Sequence, residues 1–367
     1  MVTATVIRPD ELGSAEITCW HEMQAKNPAL ANPFLSPEFT IAVGRLRPSA
    51  RVAVLSEGPD VTGFFPFERR SFGLAVPIAA GLTDCQGLVH LPDVHWDPRA
   101  LLKACGISAW QFDHLAAGQP FERYRSALAS SPVVDLSEGF AAYHAELRRR
   151  SPVLVSGTGR KVRKLAREVG ELRLVQDCAD VGELRRLMGW KSGQYRRTGR
   201  LDRFSRQWTV ELLDSLLATR TDALTGVLSV LFAGESPVAA HFGLRAGEIM
   251  TYWFPAYDPA FSRYSPGLTL ALRLAEELAA DGVTLIDLGK GKMRYKDSMK
   301  TGELLVAEGT ATQRSLLGAA HRARKSPQAW AIRQIRAHPP LFRAADTVLR
   351  YGAQVRLHAT AHARGER

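Results

Sequence analysis

A Ser-Pro-Gly triplet, Ser265 to Gly267, stands where an amphipathic helix is predicted to begin, and it could bind a phosphate group. Ser265 is a suitable N-cap, Pro266 fits the first helical turn because its missing N–H is not needed there, and Gly267 lets a ligand approach the backbone. Free N–H groups at a helix start attract anions, and Arg263 adds a cation. The triplet predicts a pyrophosphate site, although the same residues also serve as a plain helix cap.

A carboxylate, Asp287, interrupts the apolar run from Val283 to Leu288. Burying a lone carboxylate is costly, so we expect Asp287 to be paired or functional. Pairing with a nearby lysine would organise the following loop, whereas an unpaired carboxylate could act as a general base. The lysines in question are Lys290, Lys292 and Lys296. The sequence leaves both alternatives open.

The elements that would position these residues are legible in the second half of the chain. Three extended runs are joined by connections short enough only for antiparallel hairpins, which predicts a meander. The runs span 227–233, 238–244 and 249–255. Apolar residues then recur with a period of 3.6 from Leu268 to Leu278, which predicts an amphipathic helix ending at Gly282. The run 283–288 reads as a buried strand, so a parallel crossover must connect it to the meander.

Pro255 closes the third run of the meander. A proline cannot donate to a strand ladder, so we expect the pairing with the next strand to lapse there. In an open α/β sheet, ligands bind beyond the carboxyl ends of parallel strands. A splayed strand would therefore offer free backbone groups to an extended, amide-bearing ligand.

The segments before the meander alternate between strands and helices. Extended runs at 51–55 and 61–67 flank the turn-forming sequence Ser-Glu-Gly-Pro-Asp, which predicts a hairpin. A helix near residue 100 should lead into a buried strand. Further along, we expect a strand at 171–176 and helices at 180–194 and 205–219.

Basic residues are concentrated in two segments. Nine lysines and arginines lie from Arg148 to Arg173, either on a solvated helix face with a flexible Gly/Ser lead-in or in contact with an anionic substrate or cofactor. From Arg314 to Arg367, 11 basic residues stand against two acidic ones, so most of the net charge of +11 lies in this tail. Nucleic-acid binding over the whole surface is therefore not indicated.

Composition excludes several classes of protein. A chain of 367 residues predicts two domains of ordinary size. Its 46% apolar and 23% charged residues are typical of globular proteins. A leader-like start and a long apolar run are both absent from the sequence, so we expect a cytoplasmic protein. The four cysteines form no CxxC pair, and we expect no metal site. Signatures of nucleotide hydrolysis, metalloproteolysis and hydride transfer are also missing.

The order of these elements resembles that of the GNAT acyltransferases. Four segments are more specifically similar to the CelD/BcsL branch, a group of double-GNAT proteins related to the FemAB peptidyltransferases. They are NPFLSPEF (32–39), VTGFFPFERR (61–70), YSPGLTL (264–270) and IDLGKGKMRYKDSMKTG (286–302). The resemblance implies an α/β fold of the mixed α+β type, with two GNAT-like domains in tandem at 1–145 and 146–312. A basic helical C-terminal extension at 313–367 would follow.

An acyl-CoA donor is what the resemblance implies. The strand that contains Phe254 would hydrogen-bond the pantetheine, and its last backbone N–H groups, up to Tyr257, could contact the oxyanion. The pyrophosphate would be held by Arg263, Ser265, Gly267 and Leu268. The usual GNAT loop has glycine in place of Pro266 and glycine or alanine in place of Leu268. FemAB relatives use aminoacyl-tRNA instead, and the basic segments would suit that donor electrostatically.

Amide formation needs a neutral amine, an oxyanion contact and a proton for the leaving group. The pair Tyr295-Lys296 resembles the family's YK motif, so Lys296 is predicted to place its cation at the reacting carbonyl or the donor phosphates. Tyr252 and Tyr257 either protonate the leaving thiolate or belong to the core. His241, in mid-meander, is interpreted as a core histidine rather than a base.

The acceptor side would be a basic, aromatic-bearing lip, if it is not simply solvent-exposed. Its predicted residues are Trp190, Lys191 and the Arg196-Arg197 pair, together with Tyr295. The leading hypothesis is an N-acyltransferase that acts on an amine of a sugar or small metabolite in exopolysaccharide or envelope biosynthesis. The alternatives are an aminoacyl-tRNA-dependent ligase and a non-catalytic, GNAT-shaped binding protein that contacts a membrane through its basic tail.

Overall fold

The computed structural model of the protein describes residues 2–92, 94, 96–291 and 293–321. Its helices are α1 (Ser14–Lys26), α2 (Pro37–Leu46), α3 (Pro98–Ala104), α4 (Gly139–Arg150), α5 (Pro152–Glu168), α6 (Val181–Arg197), α7 (Gln207–Leu217), α8 (Pro266–Ala280) and α9 (Arg294–Met299). Its strands are β1 (Val2–Ile7), β2 (Ala50–Glu57), β3 (Asp60–Arg69), β4 (Leu74–Pro77), β5 (Val89–His90), β6 (Ala109–Leu115), β7 (Arg125–Asp135), β8 (Leu172–Val175), β9 (Thr225–Ala233), β10 (Ser236–Ala246), β11 (Ile249–Tyr257), β12 (Leu285–Asp287) and β13 (Gly302–Thr312).

All of these strands belong to one mixed sheet. Its order is β1-β2-β3-β4-β6-β13-β7-β12-β11-β10-β9-β8, and β5 pairs with β3 beside this path. The predicted meander is confirmed as β9, β10 and β11, which pair antiparallel. The predicted crossover is also confirmed, because α8 connects β11 to β12 in parallel register. The hairpin in the first part of the chain is β2–β3.

The closing strand β13 lies inside the first half of the sheet. It pairs antiparallel with β6 on one side and with β7 on the other. Strand β7 in turn pairs with β12 of the second half. The predicted division at 145/146 falls within α4, and the two predicted domains share one continuous sheet.

A hydrophobic core on one face of the sheet also joins the halves. Helices α1 and α2 of the first half pack there with α6 and α7 of the second, around side chains such as Trp20, Leu213 and Trp253. The opposite face carries separate cores under α3 and under α4 and α8. Alternate residues of one strand, such as Phe64 and Phe65 of β3, enter the two opposite cores because successive strand side chains point to opposite faces.

Two expectations about the basic segments have different outcomes. The Gly/Ser-containing stretch 156–159 lies inside α5, so the expected flexible lead-in is wrong; α5 instead continues through the glycines as one 17-residue helix. The expected helical tail is described only to His321, with helix from Leu316. Residues 322–367 lie outside the described part. Within the described ranges, no helix is both long and apolar enough to cross a bilayer.

One buried hydrogen bond connects the two halves next to the site described below. Trp253 of β11 donates from Nε1 to the Leu82 carbonyl at 2.9 Å, and its ring packs edge-on against Phe34 at 5.0 Å between centroids. A buried carbonyl that loses its donor costs about 1–3 kcal/mol. We therefore predict that Trp253→Phe, which keeps an aromatic ring but removes the N–H, lowers the free energy of unfolding by at least about 1 kcal/mol in equilibrium urea denaturation.

Val153→Ala serves as the control for this prediction, because Val153 is 82% exposed on α5. A surface change of this kind should stay within about 0.5 kcal/mol of the parent. Equal stabilities of Trp253→Phe and Val153→Ala would show that the Trp253–Leu82 hydrogen bond does not hold the halves together.

Candidate functional site

A cavity of about 370 Å³ opens where β11, α6 and the start of α8 meet the Leu82–Asp84 segment of the first half. Nine of the residues singled out from the sequence line it: Lys191, Tyr252, Phe254, Tyr257, Ser265, Gly267, Leu268, Tyr295 and Lys296. Four others do not: Trp190, Arg196, Arg263 and Asp287. The sequence thus predicted much of the wall contributed by the second half.

The cavity exists because β11 and β12 part early. Their parallel pairing runs only from Ile249↔Leu285 to Thr251↔Asp287, since β12 has three residues. Strand β11 continues to Tyr257 and forms the cavity wall from Tyr252 onward. The expected lapse at Pro255 is therefore wrong in position and cause: the strands separate at the end of β12, and Pro255 itself lies opposite His241 of β10.

The start of α8 faces the cavity, but Ser265 does not cap it. Ser265 has a left-handed backbone, with φ 55° and ψ 50°, and its side chain makes no capping hydrogen bond. Its hydroxyl instead accepts a 2.7 Å hydrogen bond from Lys161 Nζ of α5. Since Pro266 has no N–H, Gly267 carries the first backbone donor of the helix. A Cβ at Gly267 would approach the Tyr257 ring to 3.3 Å, so glycine keeps this entrance open.

Arg263, the cation predicted for this helix start, does not line the cavity. Its side chain is 69% exposed, lies 3.5 Å from Glu168 and hydrogen-bonds Tyr264. Lys161 takes the expected place, because it is half-buried and bonded to Ser265. The basic run of α5 indicated in the sequence that a cation could contact a ligand here. The spacing of its lysines and arginines did not show which of them faces α8.

Asp287 organises the loop that holds Lys296. Its carboxylate accepts hydrogen bonds from Ser131 Oγ at 2.6 Å and from the Gly289 N–H at 2.9 Å. The Gly289 carbonyl accepts in turn from Lys296 Nζ at 2.7 Å. Burial lowers the pKa of Lys296, and the carboxylates of Asp84 and Asp287 oppose that shift. Asp287 is therefore engaged with Ser131 and Gly289 and does not face the cavity.

Of the lysines considered as partners of Asp287, Lys290 is bound elsewhere. Its Nζ contacts Glu308 at 2.9 Å and the Asp113 carbonyl at 2.7 Å. Lys292 lies outside the described residues.

Asp84 is a site residue that the sequence did not reveal. It lines the cavity with a side chain that is 26% exposed, 3.5 Å from His114 Nε2. His114 Nδ1 lies 3.0 Å from Asp113. The side chains of Asp84, His114 and Asp113 therefore follow one another away from the cavity. Burial raises the pKa of Asp84 to about 6; Asp287 adds to this shift, whereas His114 and Lys296 oppose it. Gly289 packs against this carboxylate: a Cβ there would lie 2.7 Å from Asp84 Oδ2.

Only some of the residues predicted for the acceptor lip line the cavity. Lys191 enters the cavity and donates to the Pro255 carbonyl at 2.8 Å; burial lowers its pKa to about 8, with further lowering by Lys296 and two arginines. Trp190 points the other way and packs against the core shared by the halves. Arg196 is exposed and lies 3.5 Å from Asp202.

Two tyrosines of β11 differ in their surroundings. Tyr252 is buried, stacks on His241 at 4.2 Å between ring centroids, and its hydroxyl has no hydrogen-bond partner among the described residues. Burial raises its pKa well above the ordinary value, so the hydroxyl stays protonated. Tyr257 is 41% exposed at the cavity entrance. An unpaired buried hydroxyl on a cavity wall is a group that a ligand could satisfy.

His241 is fully buried in β10, as expected of a core residue, and burial lowers its pKa to about 3. Among the described residues, no group of three or more His, Cys, Asp or Glu side chains could hold a metal ion.

Comparisons with known proteins agree with this geometry. Residues 155–297 match a family model described as "Acetyltransferase (GNAT) domain". FemX has a similar fold, with a TM-score of 0.54 and 10% identity over 78% of this chain and 94% of that one. A conserved protein of unknown function from Bacteroides thetaiotaomicron VPI-5482 also has a similar fold, with a TM-score of 0.53 and 9% identity over 86% of this chain and 100% of that one.

A tandem GNAT protein from the clavulanic acid biosynthesis pathway gives a TM-score of 0.49 at 10% identity, over 85% of this chain and 98% of that one. No curated protein sequence matches the chain. At these identities the structural likeness concerns the fold alone. Residues 155–297 thus match a GNAT acetyltransferase domain, within a fold similar to that of FemX.

Proposed function

We propose that this protein is an acyl-CoA-dependent N-acyltransferase. The observation that supports this most directly is the cavity between the start of α8 and the part of β11 that lies beyond its pairing with β12. Both elements belong to the residues that match the GNAT acetyltransferase domain. An extended thioester donor needs a strand edge for its amides and a helix start for its phosphates. Both are present here, side by side.

The donor would lie along β11 with its diphosphate at the start of α8. Gly267 supplies a backbone N–H and Lys161 a positive charge beside Ser265. Phe254 and Leu268 give the cavity apolar walls for the pantetheine. Lys161 thus takes over the role first expected of Arg263.

The residues that face the cavity suffice for aminolysis of a thioester. The neutral acceptor amine attacks the acyl carbon, and Asp84 accepts the proton that the nitrogen loses as the C–N bond forms. Lys296 stabilises the negative charge that develops on the carbonyl oxygen. When the C–S bond breaks, Tyr252 gives its proton to the departing thiolate. Solvent then reprotonates Tyr252 and takes up the proton held by Asp84. Lys191 lies beside the reacting strand through its bond to Pro255, and it adds to the positive potential.

The acceptor we propose is an amine on a sugar or small metabolite. The resemblance of four sequence segments to the CelD/BcsL branch supports a role in exopolysaccharide or envelope biosynthesis. Aminoacyl-tRNA as donor is the alternative that the binding experiments below also test.

Lys161→Gln should weaken acetyl-CoA binding about 10-fold, because a charge-assisted contact to phosphate is worth about 1.5–3 kcal/mol. Isothermal titration calorimetry would measure the change. Binding of pantetheine, which has no phosphate, should be unaffected.

The matched control is Lys164→Gln, which removes an exposed lysine from the same helix, 3.8 Å from Glu168. Equal loss in both variants would mean that α5 acts only through its overall charge. A parent protein that binds charged tRNA but no acyl-CoA would overturn the proposed donor.

Asp84→Asn should lower kcat by about 10²–10⁴-fold while acyl-CoA still binds, as expected when a general base is lost. The base must be ionised to accept a proton. Activity of the parent should therefore rise with pH through about 6, the pKa of Asp84. This limb of the pH–rate profile should be absent from the variant.

His114→Gln tests the positioning role of the imidazole. His114 lowers the pKa of Asp84, so its replacement should raise that pKa. The rising limb of the pH–rate profile should therefore move to higher pH. An unchanged pH profile in both variants would rule out Asp84 as the base.

Lys296→Gln should lower kcat about 10²-fold or more with little change in the KM for acyl-CoA, as found when one oxyanion contact is removed. Steady-state kinetics would check this, with circular dichroism to verify folding. A rise in KM at constant kcat would instead place the Lys296 ammonium at the donor phosphates.

A further inference from the structure

A second cavity, of about 580 Å³, adjoins the first and is named here the arginine chamber. It lies between the Ala80–Leu82 segment of the first half and the end of α6 with the loop that follows it. Its cationic wall consists of Arg200, Arg203 and Arg206. Leu82, Tyr195, Arg200 and Arg203 line both cavities, so the arginine chamber is continuous with the site that holds Asp84.

The arginine chamber carries an excess of positive charge, although Arg203 lies near enough to Asp84 of the adjoining cavity to lower the pKa of that carboxyl. Its described walls contain three guanidinium groups and no carboxylate. The nearest acid in sequence, Asp202, is engaged elsewhere: it contacts Ser192 at 3.0 Å and Arg196 at 3.5 Å, and it accepts from the Phe204 N–H. In the described part of the chain, Arg200 and Arg206 make no ion pair with any carboxylate within 4.0 Å.

Clustered guanidinium groups repel one another, and their partial exposure to water weakens this repulsion. An anion that enters the chamber would replace this hydration with bidentate, charge-assisted contacts. Arginine is the residue best suited to phosphate, because its planar fork matches two phosphate oxygens at once. Three arginines around one chamber can therefore serve a group with several oxygens, such as a diphosphate.

We infer that the arginine chamber binds a phosphate or diphosphate group carried by the acyl acceptor. This inference rests on the proposed N-acyltransferase function and adds the chemical class of the acceptor. The donor phosphates are assigned to Lys161 and the start of α8, neither of which lines the arginine chamber. An acceptor anchored in the arginine chamber would extend past Tyr195 and Leu82 and present its amine to Asp84.

Inorganic diphosphate is the probe that tests this inference, titrated calorimetrically into the full chain saturated with CoA. Because CoA fills the start of α8, we expect diphosphate to bind at one further site. The double variant Arg200→Gln/Arg206→Gln should lower its affinity at least 10-fold. The single variant Arg206→Gln, at an arginine that lines the chamber but not the first cavity, should also weaken diphosphate binding and leave CoA binding within about 2-fold. Malonate, a dicarboxylate, should bind more weakly than diphosphate.

Arg197→Gln is the matched control, since Arg197 is an exposed arginine at the end of α6 that lines neither cavity. It should leave diphosphate affinity unchanged. The inference is overturned if diphosphate does not bind the CoA-loaded chain, if the double variant binds it as tightly as the parent, or if malonate binds equally well.

Failure of the proposed donor can be told apart from failure of this inference. If CoA does not bind the parent, the acyl-CoA proposal falls, and diphosphate is then titrated into the free chain. There the arginine chamber requires that Arg200→Gln/Arg206→Gln weaken binding and that Lys161→Gln leave it unchanged. The opposite pattern would place the anion at α8 and remove the chamber as an acceptor site.

Discussion

The length of β12 is the constraint on which the site depends. With three residues, this strand pairs with β11 only as far as Asp287, and β11 continues to Tyr257 paired with β10 alone. Asp287 fixes the point of departure, because its carboxylate is tied to Ser131 of β7 and to the Gly289 N–H. A longer β12 would close the sheet and remove the space into which Tyr252 and Lys296 now face.

The exchange of strands between the halves makes the site a property of the whole molecule. Strand β13 inserts between β6 and β7, and β7 supports β12. The second half therefore cannot present its cavity without the first. Asp84 and Leu82 enter from the first half, where the Leu82 carbonyl is bonded to Trp253 of β11, so the proposed base and the proposed donor surface come from different parts of the chain.

Electrostatics gives the two ends of the site different tasks. Five cationic side chains line the main cavity, and Asp84 is its one carboxylate among the described lining residues. Burial favours the neutral forms of Asp84 and Lys191, which brings both pKa values toward neutrality. A group that exchanges protons near neutral pH can act in catalysis, whereas the arginines of the adjoining chamber stay charged and would serve for binding in the proposed function.

Sequence alone determined the local elements: the meander, the helix α8 with its apolar period, the crossover to β12 and the presence of Lys296 and Tyr252 near one strand end. These elements follow from short-range patterns in the sequence, because the hydrophobic periodicity and the turn residues that define them extend over only a few positions. Tertiary structure alone decided which cation faces α8, where β13 inserts, and that Asp84 joins the site. Lys161 replaces Arg263 there, and Asp84 stands about 200 residues before Lys296. Such proximities depend on how distant segments pack, which a local pattern does not encode.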